Sequence, residues 1–235
     1  EVEEQVDLMY SLIHQQVDAI VLVPIDSKAL VQPVVEAVRK GVPVINIDIR
    51  LDTQLLEQAG VEVAFVGPDN FAAAYEVGKL LDKKLRNEDK VAIIEGLAAA
   101  DNAQQRKRGF IKAIEEKGLR LVASEPADWE TEKAAEVFQA MWMRYPDLKA
   151  VYCSNDAMAL GVLQQMQEKN CYLPVVGFDN DAVMKEFLST GKLVATADIF
   201  SSQMAVRGIE FALDVLEGKI ENRGVHSTAY EIIKQ

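Results

Sequence analysis

Hydrogen-bonding side chains follow two successive apolar runs within residues 148–181, LKAVYCSNDAMALGVLQQMQEKNCYLPVVGFDND. The first group is Ser154 and Asn155, and the second group is Asp179, Asn180 and Asp181. Both groups supply hydroxyl, amide or carboxylate atoms rather than apolar bulk, which suits a ligand that is held by hydrogen bonds. Asn155 and Asp179 could equally be helix caps, because Asn and Asp are favoured at the N-cap position.

The two apolar runs are the strands of one predicted strand–helix–strand unit. Runs 148–153 and 173–178 have strand length, and the residues between them carry an apolar stripe at helical spacing. Two parallel strands joined by a helix form a right-handed crossover. Since ligands bind beyond the carboxyl ends of the strands in an open parallel sheet, we expect both polar groups to lie where a ligand would be met.

Length and composition limit the class of protein. The 235 residues suffice for one large domain or two smaller α/β lobes. Charged residues make up 26% of the chain, and no run approaches 18 apolar residues, which predicts a globular protein without a membrane span. A net charge of −12 argues against a nucleic-acid partner, and the basic run 106–108 is too short to reverse that. Cys153 lies near the exit of one predicted strand and Cys171 just before the next parallel strand, so we expect them to be too far apart to form a disulfide.

Predicted strands and helices alternate throughout the chain, which indicates the α/β class with parallel sheets covered by helices. The opening residues form a helix, and 49–59 form a loop with at most one helical turn. The predicted strands are 19–23, 42–47, 61–66, 91–95, 119–123, 148–153, 173–178, 194–197 and 229–233. The other predicted helices are 28–40, 71–85, 103–117, 130–144, 182–189 and 202–217.

The residues that could do chemistry do not assemble into a catalytic or metal site. His14 and His226 are isolated from other metal ligands, and the glycines form neither a phosphate loop nor a dinucleotide fingerprint. No serine lies in a nucleophile elbow. We therefore predict no enzyme activity, no catalytic residues, no bound metal and no cofactor. Glu95 could line a binding site or could pair with a nearby Lys or Arg, whereas Trp142 is expected to be a packing residue.

Several motifs together carry a family resemblance. AVYCSNDAMALG at 150–161 and VVGFD at 175–179 closely resemble periplasmic sugar-binding proteins of the ribose-binding type. Further similarities, each weak alone, extend the resemblance over the whole chain: PVINID at 43–48, GPDN at 67–70, the helix opening at 106–110, PADW at 126–129 and the terminal IIKQ.

The resemblance implies two doubly wound parallel-sheet lobes with a sugar enclosed between them and hinge closure around it. Residues 1–68 and 200–228 would form the first lobe, and 69–199 and 229–235 the second. About forty residues of the family fold would precede Glu1, so we expect either a longer natural protein or another segment that supplies those strands. Without them, strand 19–23 would present an unpaired apolar edge, which is an aggregation liability.

The resemblance also implies ligand-binding residues. Asp48 resembles a carboxylate that accepts hydrogen bonds from sugar hydroxyls, and Asn155 and Asp179 resemble the amide and carboxylate of the second lobe. Trp129 stands where the family stacks an aromatic ring on the sugar. The chemistry is consistent, because carboxylate and amide groups bind hydroxyls while an indole packs against the C–H face. Asp69 and Asn70 are expected to be a helix cap first.

This sequence departs from the ribose-binding pattern at several of its ligand positions. A ligand arginine is replaced by Gln104, which aligns Arg106 with a neighbouring structural arginine, and Ile199 replaces a glutamine next to Asp198. Gln104, Arg106 and Asp198 are nevertheless included among the predicted ligand-binding residues. Val23 and Ile49 replace an asparagine and an arginine. These changes point to a different pentose, hexose or polyol rather than to ribose.

The resemblance predicts a non-enzymatic solute-binding protein that delivers a small carbohydrate to a membrane ABC permease. The protein would be a monomer in the periplasm or outside the cell, where a lipid anchor is possible. Two alternatives share the fold: the effector-binding core of a LacI-type transcription regulator and the extracytoplasmic sugar-sensor domain of a signalling receptor. A helix-turn-helix upstream would indicate the regulator, and a membrane span upstream the receptor.

Overall fold

The computed structural model describes residues 1–234, which form two compact units. Gln235, the last residue of the predicted second lobe and of the IIKQ motif, lies outside the described residues. The first unit comprises Glu1–Pro68, Ala99–Asn102 and Phe200–Ala229. The second unit comprises Asp69–Ala98, Ala103–Ile199 and the described residues from Tyr230 onward.

Helices and strands alternate as the sequence predicts. The helices are α1 Val2–His14, α2 Val31–Arg39, α3 Thr53–Gln58, α4 Asn70–Asp82, α5 Asp101–Lys117, α6 Thr131–Arg144, α7 Asp156–Glu168, α8 Lys185–Ser189 and α9 Ser201–Leu216. The strands are β1 Ile20–Leu22, β2 Val44–Ile47, β3 Phe65–Pro68, β4 Lys90–Glu95, β5 Arg120–Pro126, β6 Ala150–Cys153, β7 Val175–Val176, β8 Leu193–Asp198, β9 Val225–Thr228 and β10 Glu231–Lys234. A 3-10 turn, Ala182–Met184, precedes α8.

The first unit is built on a parallel sheet of strand order β1-β2-β3-β9. Apolar side chains of α1 and α2, including Met9, Ile13 and Val34, form the core on one face of the sheet. On the other face α9 packs closely, because a Cβ at Gly208 would lie 2.8 Å from Cγ2 of Ile47. Within residues 1–234 β1 pairs with β2 alone, so this strand lies at the sheet edge as predicted.

The second unit is built on a six-stranded sheet of order β10-β8-β7-β6-β4-β5, in which only β10 runs antiparallel to its neighbour. Its core is formed by buried side chains of the sheet with those of α6 and α7, such as Phe138, Val151 and Val162. These two helices approach so closely that a Cβ at Gly161 would lie 2.0 Å from the carbonyl oxygen of Thr131. Because β7, β6 and β4 are adjacent and parallel in the sheet, their carboxyl ends lie next to one another.

The structure differs from the predicted elements in the first unit. The predicted bounds of strand 61–66 are wrong, because the observed strand β3 lies later in the chain, at Phe65–Pro68. The ladder begins there because Ala64 N donates to Asn222 Oδ1 at 3.0 Å and Phe65 N donates to Gly224 O at 2.9 Å. The polar strand β9 was not predicted, and the segment expected to hold at most one helical turn contains α3, capped by the Asp52 side chain.

Among residues 1–234, none of the helices combines the length and the apolar character that a membrane crossing requires.

Candidate functional site

A buried arginine lies at the centre of the candidate site in the second unit. Arg106 of α5 is 3% exposed, and its Nε donates to Asn70 Oδ1 at 2.9 Å. Its Nη1 donates to the carbonyl oxygen of Ser154, at the end of β6, at 2.8 Å. A buried charge must be paired and hydrogen-bonded because water cannot solvate it. Both contacts hold the guanidinium in one orientation.

Asp179 supplies the countercharge for this arginine. Its Oδ1 lies 3.4 Å from Arg106 Nη1, and its side chain is 28% exposed. The residue follows β7 with a positive φ of 107°, and its backbone N–H donates to Ala197 O at 2.7 Å. Asp179 is thus a carboxylate bound on one side to a buried cation and partly exposed on another.

Aromatic rings enclose the same guanidinium. The Arg106 guanidinium carbon lies 3.7 Å from the ring centroid of Phe178 and 5.5 Å from that of Trp129. Trp129 and Asp128 both have left-handed backbones, with φ of 70° and 52°. The indole lies where only glycine leaves room, because a Cβ at Gly96 would fall 2.1 Å from its Cη2 atom. The Trp129 ring is therefore fixed beside Arg106.

The loop 179–181 is bound by polar side chains of β8 and α7. Asn180 Nδ2 donates to Asp198 Oδ2 at 2.9 Å, and the Asn180 backbone N–H donates to Thr196 Oγ1 at 3.2 Å. The Asp181 N–H donates to Asp156 Oδ2 at 2.9 Å. Burial raises the pKa of Asp156 to about 7, against the lowering effect of the hydrogen bonds from Asp181 and Thr196. Asp198, a predicted ligand residue, thus bonds to the loop that carries Asp179.

Two of the polar residues that follow strands are helix caps. Asn155 Oδ1 accepts the N–H of Met158 at 2.9 Å and caps α7, while Asp69 Oδ1 accepts the N–H of Ala72 at 2.9 Å and caps α4. The capping alternative for Asn155 is therefore confirmed. A ligand could still meet this residue, since it is only partly buried and its amide nitrogen can donate.

Gln104 lies on the same helix as Arg106 but has a different environment. Its Nε2 donates to the carbonyl oxygen of Ala98 at 3.0 Å in an exposed position. The structure therefore places Arg106, rather than Gln104, beside Asp179 and Trp129. The resemblance aligns Arg106 with a structural arginine and also places it among the predicted ligand-binding residues. The structure adds its contacts with residues 70, 129, 154 and 179.

Asp48 is described within the first unit. It follows β2 with a φ of 63°, and its N–H donates to Val66 O at 3.1 Å. Asn46 is 1% exposed and supports the same turn, because its Nδ2 donates to Ile49 O and its Oδ1 accepts the N–H of Leu51, both at 2.8 Å. The left-handed Asp48 backbone is thus held by neighbouring hydrogen bonds.

The remaining candidate residues have structural partners. Glu95 accepts from Lys107 Nζ at 2.7 Å and from Ser124 Oγ at 2.6 Å, which is the pairing alternative that the sequence left open. Trp142 packs against Phe138 with ring centroids 5.7 Å apart. Across the described part of the chain, no group of three or more His, Cys, Asp or Glu side chains could hold a metal ion. Cys153 and Cys171 are both free thiols.

Largely parallel sheets flanked by helices are typical of α/β ligand-binding proteins, and here a carboxylate that follows β7 pairs with a buried arginine of α5. The family profile described as "periplasmic binding protein domain" matches residues 1–220. The chain therefore belongs to this family, which confirms the family and fold class predicted from the sequence.

The chain is similar to several sugar-binding proteins. It is 42% identical over 234 residues to the D-ribose/D-allose-binding protein of Pseudomonas aeruginosa. The alignment covers 97% of this chain and 73% of that protein. The structure is also similar to that of an ABC transporter solute-binding protein of Burkholderia multivorans, whose unknown ligand is described as α-D-erythrofuranose. The TM-score is 0.95 at 40% identity, and the superposition covers 100% of this chain and 83% of the other chain. A counterpart from Actinobacillus succinogenes with bound D-allose has a TM-score of 0.92 at 32% identity, with 99% and 84% covered.

Proposed function

We propose that this protein binds a small carbohydrate without transforming it and delivers the sugar to an ABC importer. Its relatives are named as sugar-binding and solute-binding proteins, which supports a binding role in the periplasm or outside the cell. The observation that carries the proposal is the cluster of Arg106, Asp179 and Trp129 in the second unit.

The cluster offers the two kinds of contact that a sugar needs. Asp179 provides an ionic acceptor for a hydroxyl donor, and charge-assisted hydrogen bonds are stronger than neutral ones. Arg106 lies 3.4 Å from that carboxylate and is held by Asn70 and Ser154, so the acceptor has a fixed partner. The Trp129 indole supplies an apolar plane for the C–H face of a sugar ring.

The ligand class is a pentose, a hexose or a polyol. The relatives bind D-ribose and D-allose by name, and one solved structure holds D-allose. Val23 and Ile49 differ from the residues expected of a ribose binder, so we do not propose ribose as the preferred ligand. Asp48, Asn155, Gln104 and Asp198 stay predicted ligand residues.

The experiment that tests this proposal combines a thermal-shift screen with calorimetry. The chain is screened against D-ribose, D-allose, D-arabinose, xylitol and myo-inositol, because a ligand that binds only the folded state raises the Tm. The best ligand is then titrated into the wild type and into Asp179→Asn. Loss of a charged acceptor should raise Kd by roughly tenfold to a hundredfold, which corresponds to about 1.5–3 kcal/mol.

The matched control is Asp147→Asn, which makes the same chemical change at an exposed carboxylate paired with Lys90 at 2.7 Å. This control should bind the sugar within about twofold of the wild type, since surface ion pairs contribute little. A chain that melts cooperatively but shows no shift with any of these ligands would refute the proposal. Equal affinities of wild type and Asp179→Asn would refute the role of the cluster.

The finer predictions remain proposals as well. They are the ABC permease as partner, the monomeric state, the absence of a nucleic-acid partner, the possible lipid anchor, and the two lobes with boundaries near 68, 199 and 228. We propose that the protein is no enzyme, because its relatives are named as binding proteins.

A further inference from the structure

The loop that carries Asp179 adopts a backbone conformation that residues other than glycine rarely take. Asp179 has a φ of 107° and Asn180 a φ of 58°. Such a conformation persists only where surrounding contacts hold it. The position of the Asp179 carboxylate therefore depends on whatever holds residues 179–181 in place.

Two fully buried polar side chains hold this loop. Thr196 Oγ1 accepts the N–H of Asn180 at 3.2 Å and lies 2.9 Å and 3.0 Å from the two carboxylate oxygens of Asp156, to which it donates. Asp156 Oδ2 also accepts the N–H of Asp181 at 2.9 Å. Both Asp156 and Thr196 are 0% exposed, so neither side chain can reach a ligand.

The Asp156 carboxylate is itself fixed by its neighbours. A Cβ at Gly177, just before Phe178, would lie 2.0 Å from Asp156 Oδ1. The Asp156 backbone N–H donates to Phe178 O at 2.7 Å, which ties the start of α7 to the end of β7. The carboxylate therefore lies against the backbone that leads into the loop.

We propose that Asp156 and Thr196 are positioning residues, which hold the loop 179–181 so that the Asp179 carboxylate is presented to the sugar. This inference rests on the proposed function, in which Asp179 binds the ligand. It assigns to Asp156 a role other than the helix cap, which Asn155 provides. Removal of either buried group should weaken sugar binding although neither group contacts the sugar.

The inference includes a dependence of sugar affinity on pH. The charged groups that face Asp156 are the carboxylates of Asp179 and Asp181 from the loop, and the Cys153 thiol faces it from β6. With its pKa raised to about 7 by burial, Asp156 gains a proton as the pH falls from 8 to 6. A protonated carboxyl loses acceptor capacity for Thr196 and for the loop N–H. If binding requires the ionised form, affinity falls by up to about tenfold over this interval.

The test measures Kd of the best-binding sugar by calorimetry from pH 6 to pH 8. The variants are Thr196→Val, which keeps the shape but removes the hydroxyl, Thr196→Ser, which restores it, and Asp156→Asn. Thr190→Val is the matched control, because its hydroxyl bonds to Glu186 O at 3.0 Å on an exposed helix end. We expect Thr196→Val to bind at least fivefold more weakly, Thr196→Ser and the control within twofold of wild type, and Asp156→Asn to bind weakly without pH dependence.

Two results would overturn the inference while leaving the proposed function intact. One is wild-type affinity that is constant from pH 6 to pH 8, which needs no variant to fold. The other is sugar binding by Thr196→Val and Asp156→Asn equal to wild type at every pH. A folded wild type that binds no sugar would instead refute the proposed function and, with it, this inference.

Discussion

Replacement of Asp156 by Asn should change how the stability of the second unit depends on pH. The folded-state pKa of Asp156 is raised from 3.8 to about 7, chiefly by burial. The unfolding free energy is highest below the unfolded pKa, where Asp156 is protonated in both the folded and the unfolded chain. It falls as the pH rises toward the folded pKa of about 7. The unfolded chain ionises first, so the burial of a charged Asp156 opposes folding at neutral pH.

The magnitude follows from the two pKa values. At pH 5 the unfavourable contribution is about 2 kcal/mol, and at pH 7 it is about 4 kcal/mol, since each pH unit between the two pKa values contributes about 1.4 kcal/mol. Asn carries no ionisable group. The unfolding free energy of the wild type relative to Asp156→Asn should therefore fall by about 2 kcal/mol between pH 5 and pH 7, and it should level off above pH 7.

The assay is urea denaturation followed by tryptophan fluorescence at pH 5, 6, 7 and 8. Trp129 and Trp142 both belong to the second unit, so the signal reports on that unit. The difference between the two curves reports on Asp156 together with its coupling to the neighbouring carboxylates of Asp179 and Asp181. Parallel pH profiles for wild type and variant would refute the reasoning, because they would show that Asp156 is ionised at the same pH in the folded and unfolded chains.

Two further predictions concern single positions. Asp48→Ala is expected to abolish sugar binding in calorimetry while circular dichroism shows an intact fold; loss of both would make Asp48 a structural residue. Gly161→Ala should cost about 1–3 kcal/mol of stability in urea denaturation, because the new Cβ would fall 2.0 Å from the carbonyl oxygen of Thr131 and force α6 and α7 apart. An unchanged denaturation midpoint for Gly161→Ala would contradict this close packing.

The alternation of strands and helices could be predicted because it depends on local patterns. The strand–helix–strand unit at 148–178 could be predicted from its apolar runs and from Asn155 as a possible cap. The structure confirms strands β6 and β7 on either side of α7 in the chain. The strand β9 could not be predicted, since its residues VHST have no alternating apolar pattern and its place depends on pairing with β3. The start of β3 is set in the same way, by contacts with the distant Asn222 and Gly224.

The candidate site was only partly predictable for a similar reason. Asp179 and Trp129 follow strands, so their positions in the chain mark them as candidates. Arg106 lies within a helix among other basic residues, and its importance depends on burial against residues from other elements. The sequence gives no sign of the role of Asp156, because its side chain bonds to Thr196, forty positions later in the chain. Sequence spacing carries no signal for such contacts.

The two cysteines give the protein a useful asymmetry in reactivity. Burial raises the pKa of both thiols, but Cys153 lies fully buried in β6, whereas Cys171 is only partly buried. The thiolate is the nucleophile in alkylation, so a buried thiol with a raised pKa reacts poorly. The folded chain should therefore behave toward maleimides as a single-thiol protein. A fluorophore or spin label could be attached at Cys171, after the last turn of α7, without any substitution in the site.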